Sequence, residues 1–181
     1  MPEIIFCCGK ICSGKSTFAK YLENEYMYFH FSADEWMLHF YKETSDRLIF
    51  ERNLQKCKDM IYKLSEKILS KSMNVVLDFG FWTNSERQQY KRYFIDLGYQ
   101  ATIVYFPITF DNQIKNMKQR QIKDIPNHYK FSVDSIKELN SKFEEPNEEE
   151  AIQVREYCSK NNMEFIIKAT RPDFSVKGIE E

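Results

Sequence analysis

The stretch Gly9-Lys-Ile-Cys-Ser-Gly14-Lys-Ser16 matches the pattern GxxxxGK[ST], and the segments on either side of it decide the fold. The apolar run Glu3–Cys8 before it predicts a buried strand, and apolar residues at helical spacing after it predict a helix over 15–25. A glycine turn between a strand and a helix points backbone N–H groups and the positive end of the helix dipole at an anion. The alternative is a turn that only joins the two elements. The context favours a site for the phosphates of a nucleoside triphosphate, and we expect ATP.

Within this stretch, which we call the glycine loop (residues 9–16), single residues have distinct predicted roles. The lysine of the pattern, Lys15, reaches the β- and γ-phosphates, and the hydroxyl of Ser16 is a ligand for Mg²⁺. Cys12 lies near Lys15 and the helix N-terminus, so we expect the pKa of its thiol to be lowered. The residues predicted to contact the nucleotide are Gly9, Lys10, Ile11, Cys12, Ser13, Gly14, Lys15, Ser16 and Thr17.

Strands and helices are predicted to alternate along the rest of the chain. Apolar runs predict further buried strands over 28–31, 73–78, 101–106 and 164–168. Helices are predicted over 46–71, 83–98, 109–120, 132–143 and 148–160, and a mobile loop over about 121–131. This alternation predicts a single α/β domain over residues 1–181, with a parallel sheet flanked by helices.

Two carboxylates follow predicted strands on the edge of the sheet where ligands of such folds lie. That edge comprises the glycine loop, residues 32–35, residues 78–82 and Pro107. Asp78 can hold Mg²⁺ directly or through water, or it can simply cap the following turn. Asp34 can accept the proton of an acceptor hydroxyl, with Glu35 as a competitor for this role. In the alternative interpretation, Ser32 or Asp34 caps a helix that starts at Glu35.

Arginines and aromatic side chains near these carboxylates are further candidates. Arg120 ends a predicted helix at the edge of the loop 121–131, where it could neutralise charge on the triphosphate in the transition state. It belongs to a basic stretch with one acid, Asp124, and the bases Lys115, Lys118, Arg120, Lys123 and Lys130. A solvated helix face explains these lysines equally well. Arg52 and Arg87 could orient an acceptor, although surface ion pairing is the favoured interpretation. An apolar acceptor pocket or plain core packing would each explain Trp36, Phe79, Phe81 and Trp82.

Composition excludes several classes of protein. The chain has 26 Lys plus Arg and 27 Asp plus Glu, so its net charge of -1 provides no bulk basic field for nucleic acid or membranes. No apolar run approaches the roughly 20 residues of a membrane helix, and we expect a cytoplasmic protein without a membrane partner. The five cysteines fit neither a disulfide framework nor a zinc site, and we expect reduced thiols.

These segments together resemble a known group of enzymes. The glycine loop, Ser32-Ala-Asp-Glu35, Leu77-Asp-Phe-Gly-Phe-Trp82 and a helix ending in Arg120 are similar to P-loop kinases with an AAA-type ATP-binding domain, grouped with zeta toxin, chloramphenicol phosphotransferase and polynucleotide 5′-kinase. The resemblance implies a P-loop NTPase fold like that of nucleoside monophosphate kinases, with a five-stranded parallel sheet and a lid. It also implies that Lys15 and Ser16 bind phosphate and Mg²⁺ and that Asp34 activates the acceptor hydroxyl.

The resemblance further implies that Arg120 is the lid arginine, but it is incomplete here. Bacterial relatives often have two arginines four residues apart, whereas the earlier position in this chain is Asn116. Lys123 or Lys130 would have to replace the missing arginine. The segment Phe143-Glu-Glu-Pro146 also resembles the end of such relatives, without an assigned role.

Three functions are compatible with these patterns. The first is transfer of the γ-phosphoryl of ATP, with Mg²⁺, to a hydroxyl of a small-molecule acceptor. The second is a polynucleotide 5′-hydroxyl kinase, which the basic stretch favours and the net charge disfavours. The third is a nucleotide-dependent switch or toxin-like protein, for which the chain offers no separate interaction domain. The family shares the phosphate donor and varies the acceptor, so the acceptor stays open.

Overall fold

Five strands form one parallel sheet in the computed structural model, which describes residues 1–42, 44, 46–122 and 129–165. The strands are β1 (Glu3–Cys8), β2 (Phe29–Ser32), β3 (Val75–Gly80), β4 (Gln100–Tyr105) and β5 (Ile152–Gln153). Their order in the sheet is β2-β3-β1-β4-β5, with every neighbouring pair parallel. The predicted α/β fold with a five-stranded parallel sheet is confirmed.

The described residues also form seven α-helices. They are α1 (Lys15–Tyr26), α2 (Ala33–Phe40), α3 (Arg47–Leu69), α4 (Asn84–Asp96), α5 (Phe110–Ile122), α6 (Val133–Asn140) and α7 (Val154–Lys160). None of these helices is both long and apolar enough to cross a lipid bilayer.

The central strand β1 separates two hydrophobic clusters because successive side chains point to opposite faces of a strand. On one face, Ile4 and Phe6 pack with residues of α3 and α4 such as Ile61 and Phe94. On the other face, Ile5 packs with residues of α1 and α7. The strand is therefore buried on both sides, as its unbroken apolar sequence predicts.

The register of the sheet brings two predicted site segments together. β2 pairs with β3 so that Ser32 lies opposite Asp78. Ser32 then caps α2, its Oγ accepting a hydrogen bond from the backbone N–H of Glu35 at 3.3 Å. Asp34 is thus the second residue of a helix that begins directly at the end of β2. The alternative of a cap at Ser32 is confirmed, although the helix starts at Ala33 and not at Glu35, and this cap does not compete with a site role for Asp34.

The last strand is the element for which the sequence prediction is wrong. β5 is Ile152–Gln153, which pairs with Val104 and Tyr105 of β4, whereas the prediction placed a strand at 164–168 and a helix over 148–160. The Oδ1 of Asn147 accepts the backbone N–H of Glu150 at 2.9 Å, so a turn interrupts the helical pattern there. Glu164 and Phe165 form no strand, and residues 166–168 lie outside the described residues.

Other boundaries differ less from their predictions. β3 continues two residues past Asp78 to Gly80, and α6 is shorter than predicted. α5 extends to Ile122, so the first two residues of the predicted loop 121–131 are helical. Residues 123–128, including the predicted lid candidate Lys123, lie outside the described residues.

Candidate functional site

The glycine loop has the backbone that an anion site requires. Gly9 has φ of +153°, and a Cβ there would lie 2.9 Å from the carbonyl oxygen of Phe106, so a larger residue would be crowded. Gly14 has φ of +101° and precedes α1 without providing a side-chain cap. Among the residues that the structure describes, the first N–H groups of α1 therefore have no side-chain acceptor and are available to a bound anion.

Two polar side chains of the glycine loop indicate that it fits a phosphate chain. The Nζ of Lys15 donates to the carbonyl oxygens of Gly9 at 2.9 Å and Lys10 at 2.8 Å, so the ammonium lies across the loop. The Oγ of Ser13 is buried and has no hydrogen-bond partner in the described part of the chain. Buried hydroxyls are usually satisfied, so a ligand in the loop could supply the missing partner.

Two amide side chains of α5 support the loop from behind. The Nε2 of Gln113 donates to the carbonyl oxygen of Ile11 at 3.0 Å, and the Nδ2 of Asn116 donates to that of Cys12 at 2.9 Å. Asn116 occupies the position where relatives often have the first of two arginines. Its side chain is buried against the glycine loop, so it supports the loop and does not contact a triphosphate as an arginine at this position could.

A cavity of about 500 Å³ lies between the glycine loop and the end of β3. We call it the main cavity. Of the predicted site residues, it is lined by Ile11, Cys12, Ser13, Gly14, Lys15, Ser16, Asp34, Asp78, Phe79, Trp82, Arg120 and Lys130. The structure therefore brings the predicted lysine, the two carboxylates and the predicted lid arginine to one cavity.

Other predicted residues do not line the main cavity. Lys10 and Pro107 line a second cavity of about 320 Å³ at the ends of β4 and β5. Thr17 is exposed on α1, and Glu35 lies outside both cavities. Glu35 is therefore the weaker of the two neighbouring candidates for a base. Lys115 and Lys118 are exposed on α5 and do not line the main cavity, so Arg120 and Lys130 are the described residues of the basic stretch that reach it.

The carboxyl group of Asp34 has a raised pKa. The side chain is accessible through the main cavity, but the surrounding walls limit its hydration, and the nearby Asp78 carboxylate opposes a second negative charge. Burial and this repulsion outweigh the positive charges of Lys15, Lys58 and Arg120, and the pKa rises to about 6. A carboxylate with this pKa is still largely ionised at neutral pH and is a stronger base than an ordinary aspartate.

The pKa of the Cys12 thiol is raised, which contradicts the prediction that it is lowered. Cys12 is buried, and burial raises the pKa of its thiol more than Arg120 and Lys15 lower it. The prediction of a lowered pKa is therefore wrong, because desolvation is the larger effect at this position. All five cysteines have free thiols, as expected.

Sequence analysis missed a mostly buried ion pair in the main cavity, formed by Lys58 and Glu86. The Nζ of Lys58 on α3 contacts the Oε1 of Glu86 on α4, and both side chains are mostly buried. Glu86 also accepts the backbone N–H of Trp82 at 3.2 Å through Oε2. The position of Lys58, four residues after Leu54 and three before Ile61 on the inward face of α3, is the signal that could have revealed it.

Arg87 is a structural residue. Its guanidinium is buried and binds Glu150 through two contacts of 2.6 and 3.1 Å, and it also donates to the carbonyl oxygens of Phe81 and Glu144. Arg87 forms an ion pair, as the favoured interpretation predicted, but the prediction of a surface pair is wrong because both partners are buried. By donating to the carbonyl oxygens of both Phe81 and Glu144, Arg87 fixes the segment 143–146 to the end of β3. Arg52 is exposed and does not line the main cavity.

The four aromatic candidates divide between the cavity and the core. Phe79 and Trp82 line the main cavity. Phe81 is fully buried, and Trp36 packs against Phe31 with ring centroids 6.0 Å apart. Only the first two could therefore contact a ligand directly.

Ser16 and Asp78 are the residues that could hold a divalent cation. They bring a hydroxyl and a carboxylate to the main cavity, and Mg²⁺ prefers such oxygen ligands. No group of three or more His, Cys, Asp or Glu side chains in the described residues forms a complete metal site. These residues therefore fit a Mg²⁺ ion that takes its other ligands from phosphate oxygens and water.

Comparisons with known proteins agree with this architecture. Residues 4–146 match the model of a protein family described as an AAA domain. A search of curated proteins found no match. Solved structures with a similar fold include a candidate kinase from Chloroflexus aurantiacus, with a TM-score of 0.63 and 16% identity over 80% of this chain and 78% of that chain.

Two further solved structures are similar. Kti12 from Chaetomium thermophilum in complex with ADP-AlF3 has a TM-score of 0.58 and 17% identity, over 80% of this chain and 81% of that chain. The APS kinase of Mycobacterium tuberculosis in complex with AMPPNP and APS has a TM-score of 0.58 and 12% identity, over 89% and 95%. At these identities the likeness establishes the shared fold. Because the family model matches most of the sequence, the chain belongs to this AAA domain family and has the fold of the P-loop kinases.

Proposed function

We propose that the protein is a kinase that transfers the γ-phosphoryl group of ATP to a hydroxyl group of a small-molecule acceptor. The observation that carries this proposal is the shared main cavity, which brings Asp34 to the same space as Lys15 and Ser16 of the glycine loop. Phosphoryl transfer requires that a triphosphate, a cation and a base for the acceptor hydroxyl meet at one point. A protein that only bound nucleotide would not need the base.

In the proposed reaction, the acceptor oxygen forms a bond to the γ-phosphorus while the bond from that phosphorus to the β,γ-bridging oxygen breaks. The proton of the acceptor hydroxyl passes to the carboxylate of Asp34, and ADP leaves. Lys15 exchanges the carbonyl oxygens of Gly9 and Lys10 for phosphate oxygens, and Arg120 neutralises charge on the transferred group. Ser16 and Asp78 would hold Mg²⁺, which neutralises phosphate charge when bound.

The second cavity suggests where the nucleoside lies. A triphosphate in the glycine loop has its γ-phosphate on the side of Asp34, and its other end carries the nucleoside. The second cavity is on the opposite side of the loop, at the ends of β4 and β5, and is lined by Lys10 and Thr109 among others. We propose that the nucleoside occupies this cavity and that the acceptor enters the main cavity.

Transfer of labelled γ-phosphoryl from Mg-ATP tests this proposal. The assay uses a panel of sugars, nucleosides, antibiotics and 5′-hydroxyl oligonucleotides as acceptors. Asp34→Asn should lower turnover by about 10²- to 10⁴-fold, because it removes the base, and should leave nucleotide binding intact. Glu35→Gln is the matched control, since it changes the neighbouring carboxylate, which does not line the cavity.

Full transfer by Asp34→Asn would remove the assigned base. Turnover stimulated only by oligonucleotides, with an affinity that falls steeply with salt, would favour the polynucleotide kinase alternative. If no acceptor stimulates turnover while the protein binds ATP tightly, the switch alternative becomes the better one.

A further inference from the structure

Lys58 on α3 is a mostly buried cation in the wall of the main cavity. Its Nζ contacts the Oε1 of Glu86, and the two side chains are 11% and 18% exposed. An ammonium group has three N–H donors, and in the part of the chain that the structure describes Glu86 is the one hydrogen-bond acceptor that Lys58 reaches. The other donors of this ammonium are therefore available to a ligand in the cavity.

Glu86 holds the ammonium of Lys58 in a fixed position. The Oε2 of Glu86 accepts the backbone N–H of Trp82 at 3.2 Å, and the backbone N–H of Glu86 donates to the Oγ1 of Thr83 at 3.2 Å. Both contacts attach Glu86 to the connection between β3 and α4, beside the end of the strand that carries Asp78. A charge fixed in this way needs no rearrangement when a substrate binds, and such preorganised charges are effective at stabilising transition states.

The charge of Lys58 acts on the proposed base. Asp34 and Lys58 line the same cavity. Three cations oppose the rise in the pKa of the Asp34 carboxyl: Lys15 most strongly, then Lys58, and then Arg120. In the proposed reaction this carboxylate binds the hydroxyl that attacks the γ-phosphorus, so a cation that acts on Asp34 also acts on the transferred group.

The other cations of the main cavity that the proposed reaction does not use are less suited to this position. Arg47 and Lys142 each form an ion pair in which both side chains are at least 42% exposed. Lys130 is exposed as well. Charges in contact with water are screened and held loosely, whereas a mostly buried charge such as that of Lys58 acts strongly at short range.

We infer that Lys58 is a further catalytic residue, whose ammonium donates hydrogen bonds to the oxygens of the transferred phosphoryl group in the transition state. This inference rests on the proposed function, because it adds a residue to the same reaction. Negative charge spreads over the three equatorial oxygens of that group, and cations around them lower the barrier. Lys15 approaches from the glycine loop and Arg120 from α5, so Lys58 supplies positive charge from a third element. No bond to Lys58 forms or breaks, and Glu86 stays ionised as its partner.

Two matched double variants test this role. Lys58→Met/Glu86→Gln and Lys142→Met/Glu138→Gln each remove the ion pair of a lysine that lines the main cavity, and neither changes the net charge. In the first, kcat for transfer to the best acceptor of the panel should fall about 10²-fold, while KM for ATP changes less than about threefold. Hydrolysis of Mg-ATP without an acceptor, followed as ADP release, should fall by the same factor, because the transferred group is the same. The second variant should stay within about twofold of wild type, since its pair is exposed.

Two single variants separate the charge of Lys58 from the structure of the pair. Glu86→Gln keeps the ammonium and the acceptor for the N–H of Trp82, and should lower kcat less than about fivefold. Melting temperatures verify that each variant folds. If the double variant at positions 58 and 86 does not fold, Lys58→Gln replaces it with the same expected loss of kcat, because its amide can still donate to Glu86.

A kcat of the folded Lys58→Met/Glu86→Gln variant within about threefold of wild type would overturn the inference, and Asp34-dependent transfer would still retain the kinase. An equal loss in Glu86→Gln would overturn it too, since the pair would then act through structure. A higher KM for the acceptor with unchanged Mg-ATP hydrolysis would assign Lys58 to acceptor binding instead. Absence of transfer from the wild type to every acceptor of the panel would overturn the proposed function, whatever the variants do to hydrolysis.

Discussion

The glycine loop and the wall of the main cavity around Lys58, Glu86 and Trp82, which is the proposed acceptor side, differ in how far apart in sequence their contacting residues are. Within the glycine loop, Lys15 binds the carbonyl oxygens of Gly9 and Lys10, six and five residues away. On the proposed acceptor side, Lys58 binds Glu86 across 28 residues, and the connection that carries Trp82 is fixed by Arg87, which binds Glu150 across 63. A local motif therefore defines the proposed phosphate side, whereas tertiary packing defines the proposed acceptor side. Such a division would let one phosphate site serve many acceptors.

The largest effect that this comparison predicts is at Lys15. Lys15→Ala should lower kcat/KM for ATP by about 10²- to 10³-fold, because in the proposed reaction it removes the charge that contacts the phosphates in the transition state. The control is Lys20→Ala, an exposed lysine of the same helix, which should have little effect. Steady-state kinetics with the preferred acceptor give both values, and near-normal turnover in Lys15→Ala would contradict a phosphate site in the glycine loop.

The second prediction concerns the long-range contacts of the acceptor side. Arg87→Met should destabilise the protein by about 3 to 5 kcal/mol, because it leaves the buried carboxylate of Glu150 without a partner. Arg92→Met removes an exposed ion pair with Asp96 on the same helix and should cost at most about 0.5 kcal/mol. Urea unfolding measures both. If Arg87→Met lost no more free energy of unfolding than Arg92→Met, the Arg87–Glu150 ion pair would not stabilise the proposed acceptor side.

The same division decides which parts of the structure the sequence predicted. The strand before Gly9, the helix after Gly14 and the helix over 83–98 follow from local patterns, and their bounds were predicted within one or two residues. β5 has only two residues, and their strand geometry depends on pairing with β4. No local sequence pattern therefore predicts this strand. Lys58–Glu86 depends on the packing of α3 against α4, and Cys12 depends on how much solvent reaches it. Both are properties of the folded chain that residue spacing cannot supply.

One contact of the glycine loop is not local in sequence. Asn116 lies on α5, 104 residues after Cys12, and donates a hydrogen bond to the carbonyl oxygen of Cys12. Asn116→Ala would leave the carbonyl oxygen of Cys12 without its donor, so we expect the KM for ATP to rise about fivefold. Gln119→Ala changes an exposed amide of the same helix and serves as the control. An unchanged KM in a folded Asn116→Ala variant would show that the loop holds its shape through local contacts alone.

The smallest expected effect is a gain in stability when the proposed base is removed. The pKa of Asp34 is raised in the folded protein, chiefly by burial and then by Asp78, so the ionised carboxylate disfavours folding above about pH 6. Because Asp34 is accessible through the cavity, solvent screens part of this cost. In metal-free protein at pH 8, Asp34→Asn should raise the melting temperature by about 2 to 4 °C, the shift that roughly 1 kcal/mol produces at this size.

The pH dependence of that gain identifies its cause. A group whose folded pKa lies above its unfolded value loses stability as pH rises between the two, so the advantage of Asp34→Asn should shrink from pH 8 to pH 5 and vanish near pH 4. Glu35→Gln, which makes the same chemical change one residue away, should not raise the melting temperature at either pH. If the gain in melting temperature of Asp34→Asn stayed constant over this pH range, it would come from packing of the amide. The Asp34 carboxylate would then not be destabilised by burial and by repulsion from Asp78.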